Sequence, residues 1–190
     1  MRRLLTALIL AIALALVAAD LTAQTCFRGG PAPRCRSFVV TQIGYSMRLA
    51  APSAQRHYLN GELGWMTNRP GRASLGATLF AGGLVDYAFQ LRLGAKARYR
   101  RWLGANSALD AGAGPMLFRD GSLRAGITSD LSWTWQDRIT FLAQLELAPS
   151  PTAPDLGWYV GARLGGKTAM WTGLIGGALM GIGAAMYGGG

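Results

Sequence analysis

The chain has 190 residues, a length that suits one domain, and 51% of them are hydrophobic. Its formal net charge is +10 at pH 7, but the basic residues are spread along the chain instead of forming one run, which argues against a nucleic-acid partner. One histidine and two cysteines supply no ligand set for a metal site, and no phosphate-binding loop is present. We therefore expect no metal and no cofactor.

The N-terminus has the three parts of a secretory signal peptide. Arg2 and Arg3 supply positive charge, residues 4–17 form an apolar run, and the small residues Ala18, Ala19 and Ala23 offer cleavage sites, of which we expect the one near Ala23 to be used. Residues 1–23 are thus predicted to direct export. An uncleaved membrane anchor is the alternative, although the apolar run is short for a bilayer span of about 20 residues.

Two closely spaced cysteines, Cys26 and Cys35, lie in the next segment, residues 24–36. In an exported chain, such a pair indicates one disulfide that closes a small loop. Two free thiols are the alternative. We expect this segment to lie in the periplasm, before the first strand.

Segments in which apolar and polar residues alternate follow from residue 37 onward. In the clearest segment, Leu91 and Leu93 share one face, whereas Arg92 and Lys96 lie on the other, as in a β-strand. This segment is longer than most globular strands and fits a tilted bilayer crossing of about 9 to 11 residues plus its ends. Eight strands are predicted in all, at about residues 37–49, 57–68, 73–82, 86–103, 107–118, 123–135, 139–147 and 158–164.

Turn signals such as Gly82-Gly83 and Asp120-Gly121 separate these strands, which predicts an antiparallel meander. An even number of strands with one apolar and one polar face is typical of an outer-membrane β-barrel, which leaves no unpaired edge in lipid. A soluble barrel or sandwich is the alternative. Aromatic residues near strand ends favour the membrane form, because they resemble an interfacial girdle: Trp65, Tyr87, Tyr99, Trp102, Trp133, Trp135 and Trp158.

In strand number and facial pattern, residues 37–166 resemble the small eight-stranded outer-membrane barrels of the OmpA/OmpX type. The resemblance rests on no single motif. It implies an all-β, antiparallel, up-and-down transmembrane barrel in the outer membrane of a bacterium. One feature departs from the family, because such barrels often end on an aromatic residue, whereas here residues 165–190 follow the last predicted strand.

Residues 167–190 form an apolar tail that we predict to be a helix. Gly173, Gly177 and Gly181 recur every four residues, which places them on one helical face, and small residues allow close helix packing in lipid. This glycine zipper would pack against the barrel wall, pair with another copy of the chain, or lie at the periplasmic interface. A flexible glycine-rich extension is the alternative.

The polar strand faces predict a charged interior, because an eight-stranded barrel is just wide enough for side chains to fill. Unpaired buried charges are costly, so we expect an ion-pair network. Its predicted members are Glu62, Arg92, Lys96, Arg98, Arg124, Asp130, Glu146 and Arg163. A narrow gated pore is the alternative, and it requires the pairs to separate.

An enzymatic role depends on His57, the only histidine of the chain. Some eight-stranded outer-membrane barrels modify lipids through a Ser-His-acid type of site, for which Ser53 and Glu62 are the nearby partners. We expect no catalytic residue, because a histidine in or beside a short loop is usually solvated.

Short outward loops and a basic periplasmic side complete the prediction. If the first and the last strand both have their free ends in the periplasm, the outward loops lie near residues 50–56, 82–86, 119–122 and 148–155. Because these loops are short, they argue against a large ligand-capturing surface.

A basic rim is predicted on the periplasmic side. Such a rim attracts anionic headgroups or an acidic polymer, and a rim neutralised by counterions is the alternative. The predicted rim residues are Arg28, Arg34, Arg36, Arg69, Arg72, Arg100, Arg101, Arg138 and Lys167, against Asp137. The sequence thus predicts a non-enzymatic barrel in contact with membrane lipids, with a structural or interaction role.

Overall fold

A computed structural model describes residues 35–49, 57–84, 90–104, 106–119, 123–148, 155–166 and 169. The predicted signal peptide, Cys26 and the glycine zipper of the tail lie outside these residues and stay predictions. Within the described ranges, no helix has the length and apolar character needed to cross a bilayer.

Eight antiparallel strands form one closed barrel. Each strand pairs with the next along the chain, and β1 pairs with β8, so no edge remains. The predicted all-β, up-and-down barrel is therefore confirmed. The strands are β1 (Ser37–Leu49), β2 (His57–Arg69), β3 (Ala73–Leu84), β4 (Gln90–Trp102), β5 (Ser107–Arg119), β6 (Leu123–Trp135), β7 (Ile139–Ala148) and β8 (Asp155–Gly165).

The strand bounds differ from the predicted ones where turn residues take part in the sheet. Gly82 and Gly83 do not form a turn, because they continue β3 and pair with Asn60 and Leu59 of β2. β8 begins at Asp155, earlier than predicted, because Asp155 pairs with Ala148 at the end of β7. Pairing with a neighbouring strand thus outweighs local turn preference at these positions.

Charged and polar residues are buried inside the barrel together with apolar clusters, and large apolar residues are exposed on its outside. In β4, Arg92, Lys96 and Arg98 are buried, whereas Leu91 and Leu93 are exposed. Leu79 of β3 and Leu131 of β6 have 65% and 60% of their surface exposed. This arrangement is the reverse of a water-soluble protein, in which large apolar side chains form the core.

The prediction that Trp102 belongs to the outer aromatic girdle is wrong. Trp102 has the same parity as Arg100, so it points inward and is only 3% exposed. Its Nε1 donates hydrogen bonds to Asn68 Oδ1 at 3.1 Å and to Ser74 Oγ at 2.9 Å. Tyr87 lies outside the described residues, and the other predicted girdle residues are exposed on the outer surface: Trp65, Tyr99, Trp133, Trp135 and Trp158.

The two ends of the barrel differ in their connections. At the end where the chain enters β1 and leaves β8, called the turn end, the connections are residues 70–72, 103–106 and 136–138. At the opposite end, called the loop end, the strands are joined by residues 50–56, 85–89, 120–122 and 149–154.

The β6–β7 connection is a tight hairpin with left-handed backbone at two non-glycine residues. Gln136 and Asp137 have φ values of 51° and 55°, and Arg138 N donates a hydrogen bond to Trp135 O at 3.0 Å. These features define a type I′ turn, whose twist matches that of the strands but which favours Asn and Gly. The sequence tolerates this turn at some cost in local strain.

Relief of this strain should stabilise the barrel. Gln136→Asn is expected to raise the free energy of unfolding by about 0.5 to 1 kcal/mol, because Asn adopts the left-handed conformation more readily. Urea-induced unfolding in lipid vesicles measures the change. The β-branched variant Gln136→Val should lower stability, and equal stability of the two variants would contradict the assigned turn.

Candidate functional site

Lys96 lies at the centre of the barrel interior and bridges two carboxylates. Its Nζ lies 2.5 Å from Glu62 Oε1 on β2 and 2.5 Å from Asp130 Oδ2 on β6. All three side chains are almost fully buried. Because β2 and β6 each lie two strands away from β4, this one cation links three parts of the wall.

Two arginines complete the charge balance around Glu62. Arg98 Nη1 lies 2.7 Å from Glu62 Oε2, and Arg163 Nη1 lies 3.1 Å from the same oxygen. Arg163 Nη2 also lies 3.9 Å from Asp130 Oδ2. A carboxylate in the interior is therefore surrounded by cations, which offsets the cost of removing it from water.

Neutral side chains hold Arg163 in place. Its Nε donates to Asn60 Oδ1 at 3.1 Å, and its Nη2 donates to Gln144 Oε1 at 3.3 Å. Gln42 Oε1 accepts a further hydrogen bond from Nη1 at 3.5 Å. Gly44 of the neighbouring strand makes room for this side chain, because a Cβ there would overlap Arg163.

A second ion pair lies toward the loop end. Arg92 of β4 contacts the carboxylate of Glu146 on β7, and Gln144 Nε2 donates to Glu146 Oε1 at 2.8 Å. The Arg92 guanidinium also lies 5.9 Å from the ring centre of Tyr58 and 6.0 Å from that of Phe118. Cation–π contacts of this kind add to the stabilisation of a desolvated arginine.

Arg100 forms a third group of contacts at the turn end. Its Nε and Nη2 bind the two oxygens of Asp110 at 2.6 and 3.1 Å, and its Nη1 lies 3.0 Å from Asp137 Oδ1. The guanidinium also packs over the rings of Phe38 and Trp102, 5.3 and 5.1 Å from their centres. The prediction that Arg100 belongs to the basic periplasmic rim is wrong, because its side chain is fully buried.

The sequence prediction omitted Asp110 from the interior network. Its parity places it on the polar face of β5, but parity does not reveal that register puts it directly opposite Arg100. Arg124, which was predicted as a member, lies on the inner face of β6 and is half-buried. The ion pairs described above are formed by the other seven predicted residues together with Arg100, Asp110 and Asp137.

Apolar side chains lie on both sides of the charged layer. A cluster at the turn end comprises Phe38, Val40, Met66, Trp102 and Ala108. Two clusters lie toward the loop end and comprise Phe80, Met116, Phe118 and Ala148, and Tyr58, Leu84 and Tyr159. Apolar side chains thus lie toward both ends of the interior that holds Lys96, Glu62 and Asp130.

His57 and Glu62 do not form a common site. His57, the first residue of β2, is exposed on the outer face, whereas Glu62 points into the interior. The ring of His57 stacks on Tyr45 with centres 5.8 Å apart, and its Nδ1 contacts the Tyr45 hydroxyl. Ser53 lies outside the described residues. A Ser-His-acid site in which Glu62 is the acid is therefore excluded by geometry.

Cys35 lies beside the turn-end cluster. Asn68 Nδ2 donates a hydrogen bond to Cys35 O at 2.6 Å, which holds the residues just before β1 against β2. Among the described residues no cysteine is free, and no group of three His, Cys, Asp or Glu side chains is placed to hold a metal ion. The Cys26–Cys35 disulfide stays a prediction because Cys26 is outside the described part.

Strand number, pairing order and closure define this protein as a small eight-stranded β-barrel, and they confirm the predicted resemblance to such barrels. Two solved structures are similar to it. The outer membrane protein Ail of Yersinia pestis, studied in a phospholipid bilayer nanodisc, is 9% identical, with a TM-score of 0.43 and coverage of 67% of this chain and 97% of that chain. The N-terminal β-barrel domain of Pseudomonas aeruginosa OprF is 15% identical, with a TM-score of 0.44 and coverage of 68% and 97%. No protein-family model and no curated protein matches the chain.

Removal of the central cation should destabilise the barrel strongly. Lys96→Met leaves Glu62 and Asp130 without their shared partner, and we expect a loss of about 3 to 5 kcal/mol in the free energy of unfolding. Adding Asp130→Asn should recover at least about 1 kcal/mol, because the unpaired carboxylate becomes neutral. Thr78→Val, opposite Lys96 in register, is the control since it removes no charge.

Urea titration of the folded barrel in vesicles measures the natural protein, these three variants and the single variant Asp130→Asn, which completes the double-mutant cycle. Strictly additive effects of the Lys96 and Asp130 substitutions would contradict a direct interaction between the two side chains.

Proposed function

We propose that this protein is a non-enzymatic β-barrel of the bacterial outer membrane with a structural or interaction role in the cell envelope. The observation that carries the proposal is the distribution of polarity over the closed barrel. Large apolar side chains are exposed on the outside of all eight strands, while charged side chains are buried inside. A bilayer is the environment that such a surface matches.

The outer surface is too apolar for a monomer in water. Soluble monomers rarely expose continuous apolar patches larger than a few hundred Å². Here leucine, isoleucine and valine continue around the barrel, as shown by Leu79, Ile127 and Val160, which are all exposed. Transfer of these side chains from water to lipid supplies the free energy that holds the barrel in the membrane.

Aromatic residues lie at both ends of this apolar surface. Tyr45 and Trp158 lie near the loop end, and a larger set lies near the turn end: Trp65, Tyr99, Trp133, Trp135 and Phe141. Girdles of aromatic residues mark the two interfaces of outer-membrane barrels. Their separation along the strands supports a transmembrane orientation of the barrel.

The interior supports a structural role more than a gated pore. The ion pairs of Lys96 link β4 to β2 and β6, Arg100 pairs with Asp110 on the adjacent strand, and apolar clusters lie toward both ends. Opening a passage would separate buried pairs, at a cost of about 3 to 5 kcal/mol for each charge left alone. We therefore propose a closed barrel whose contacts with other molecules occur on its outer wall and at its ends.

The proposal predicts a depth-dependent cost of charge on the outer wall. Leu79→Arg, half-way along β3, should destabilise the vesicle-inserted barrel by about 2 to 4 kcal/mol. Leu123→Arg places the same charge at the first residue of β6, where the expected cost is about 0 to 1 kcal/mol. Both leucines are well exposed, at 65% and 71%, so their burial within the protein is matched.

Faster migration of unheated than heated protein on SDS gels reports insertion, and urea titration gives the energies. Equal tolerance of arginine at the two positions would contradict the membrane assignment.

The lipid-modifying alternative makes a separate prediction through His57. His57→Ala should leave barrel assembly and the lipid composition of the outer membrane unchanged, because Glu62, the acid proposed to act with it, points into the interior. Mass spectrometry of extracted outer-membrane lipids, with and without the protein, measures this. A modified lipid that appears with the natural chain and disappears with His57→Ala would establish an enzyme instead.

A further inference from the structure

Four exposed arginines follow one another around one side of the turn end. They are Arg36, Arg69, Arg72 and Arg101, called here the arginine arc, and they lie on or beside β1 to β4. In the part of the chain that the structure describes, none of the four takes part in an ion pair. Their charges are therefore available to an external anion.

Two members of the arc lie in one row across the sheet. Arg69 of β2 and Arg101 of β4 both pair in register with Ala73 of β3. Neighbouring strands lie about 4.8 Å apart, so the two arginines are separated by two such spacings. The small side chain between them leaves space, and two long side chains can close around one anion over Ala73.

Backbone hydrogen bonds fix the other two members. Asn68 N donates to Arg36 O at 2.8 Å, and Trp102 N donates to Arg72 O at 2.9 Å. Arg72, which precedes Ala73, is thereby held beside Arg101 at the corner between β3 and β4. The positions of the positive charges are set by the barrel, and little backbone order has to be gained on binding.

The acidic side chains at the turn end point inward, away from the arginine arc. Asp137 in the β6–β7 turn points inward to Arg100, and its side chain is only 18% exposed. Asp110 is fully buried against the same arginine. No acidic side chain is therefore exposed at the turn end within the described residues, and the field of the arc is not neutralised locally.

The direction of the arginines favours a lipid over a soluble polymer. Arg69 and Arg101 point to the outer face of the wall, as do Trp65 on β2 and Tyr99 on β4, which are exposed there. In the proposed orientation this aromatic band lies at the headgroup level of the bilayer. The arginines just beyond it would meet phosphates of the adjacent leaflet.

We propose that the arginine arc is a binding site for anionic phospholipid headgroups, with the phosphate of a lipid such as phosphatidylglycerol between Arg69 and Arg101. This inference rests on the proposed outer-membrane function and names a lipid partner for the barrel. Planar guanidinium groups bind phosphate oxygens through two parallel hydrogen bonds, which a lysine does not reproduce. Lipid retention should fall as ionic strength rises, because salt screens exposed charges.

The test uses the full mature chain in nanodiscs of phosphatidylcholine and phosphatidylglycerol. Native mass spectrometry counts the lipids of each class that stay bound to the protein after it is released from the nanodisc. The natural protein should retain phosphatidylglycerol preferentially, and the triple variant Arg69→Gln, Arg72→Gln, Arg101→Gln should lower this preference by at least about tenfold. Arg138→Gln, which removes the same kind of charge from the β6–β7 turn, should change it by less than about twofold.

A triple lysine variant separates charge from geometry. Arg69→Lys, Arg72→Lys, Arg101→Lys keeps the net charge, and we expect it to recover only part of the preference. An unchanged preference in the triple glutamine variant would overturn the inference. The inference would also be overturned if the arginine arc were needed for binding of acidic peptidoglycan fragments but not for the lipid preference.

Gel migration of the same unheated samples distinguishes the two proposals. If the barrel inserts but shows no lipid preference, the lipid site is wrong and the membrane function stands. If the barrel does not insert, the membrane function is wrong and the lipid site falls with it.

Discussion

The closure of β1 onto β8 is the constraint on which the rest of this structure depends. In hydrocarbon, each backbone group has to find its partner within the protein, and a barrel without edges achieves this with strands alone. Closure also separates two environments, because alternate side chains of each strand then point either to the outside or into a sealed interior. The apolar wall and the charged lumen are two results of the same alternation.

A sealed interior can hold charge only where the charges pair. Lys96 is placed between Glu62 and Asp130, and Arg100 takes both oxygens of Asp110, so cations and carboxylates balance at close range. The same requirement explains the β6–β7 turn, whose strained backbone carries the Asp137 side chain inward to Arg100. Because Asp137 points inward, it does not neutralise the exposed arginines at the turn end. Interior pairing and the basic arc at the turn end are therefore linked.

The alternation of residues was enough to predict the barrel, its strand number and most of the inward-facing charges. The prediction failed where residue type was preferred to parity at a strand end, since Trp102 and Arg100 were assigned to an interface, whereas their parity places both inside, where they are buried. Asp110 was not predicted because pairing between strands depends on register, which one sequence does not reveal. The Gly82–Gly83 extension of β3 likewise depends on its partner β2. The position of Arg72 beside Arg101 depends on a turn whose geometry is set by the folded sheet.

We propose that the outer face of the barrel meets lipid and that the inner face does not. Quenching of single-tryptophan variants by brominated phospholipids tests it most directly, since Trp133 is exposed on the wall and Trp102 is buried inside. The barrel described here predicts strong quenching of a variant that keeps only Trp133 and little quenching of one that keeps only Trp102. Equal quenching of both variants, or quenching of Trp102 alone, would contradict it.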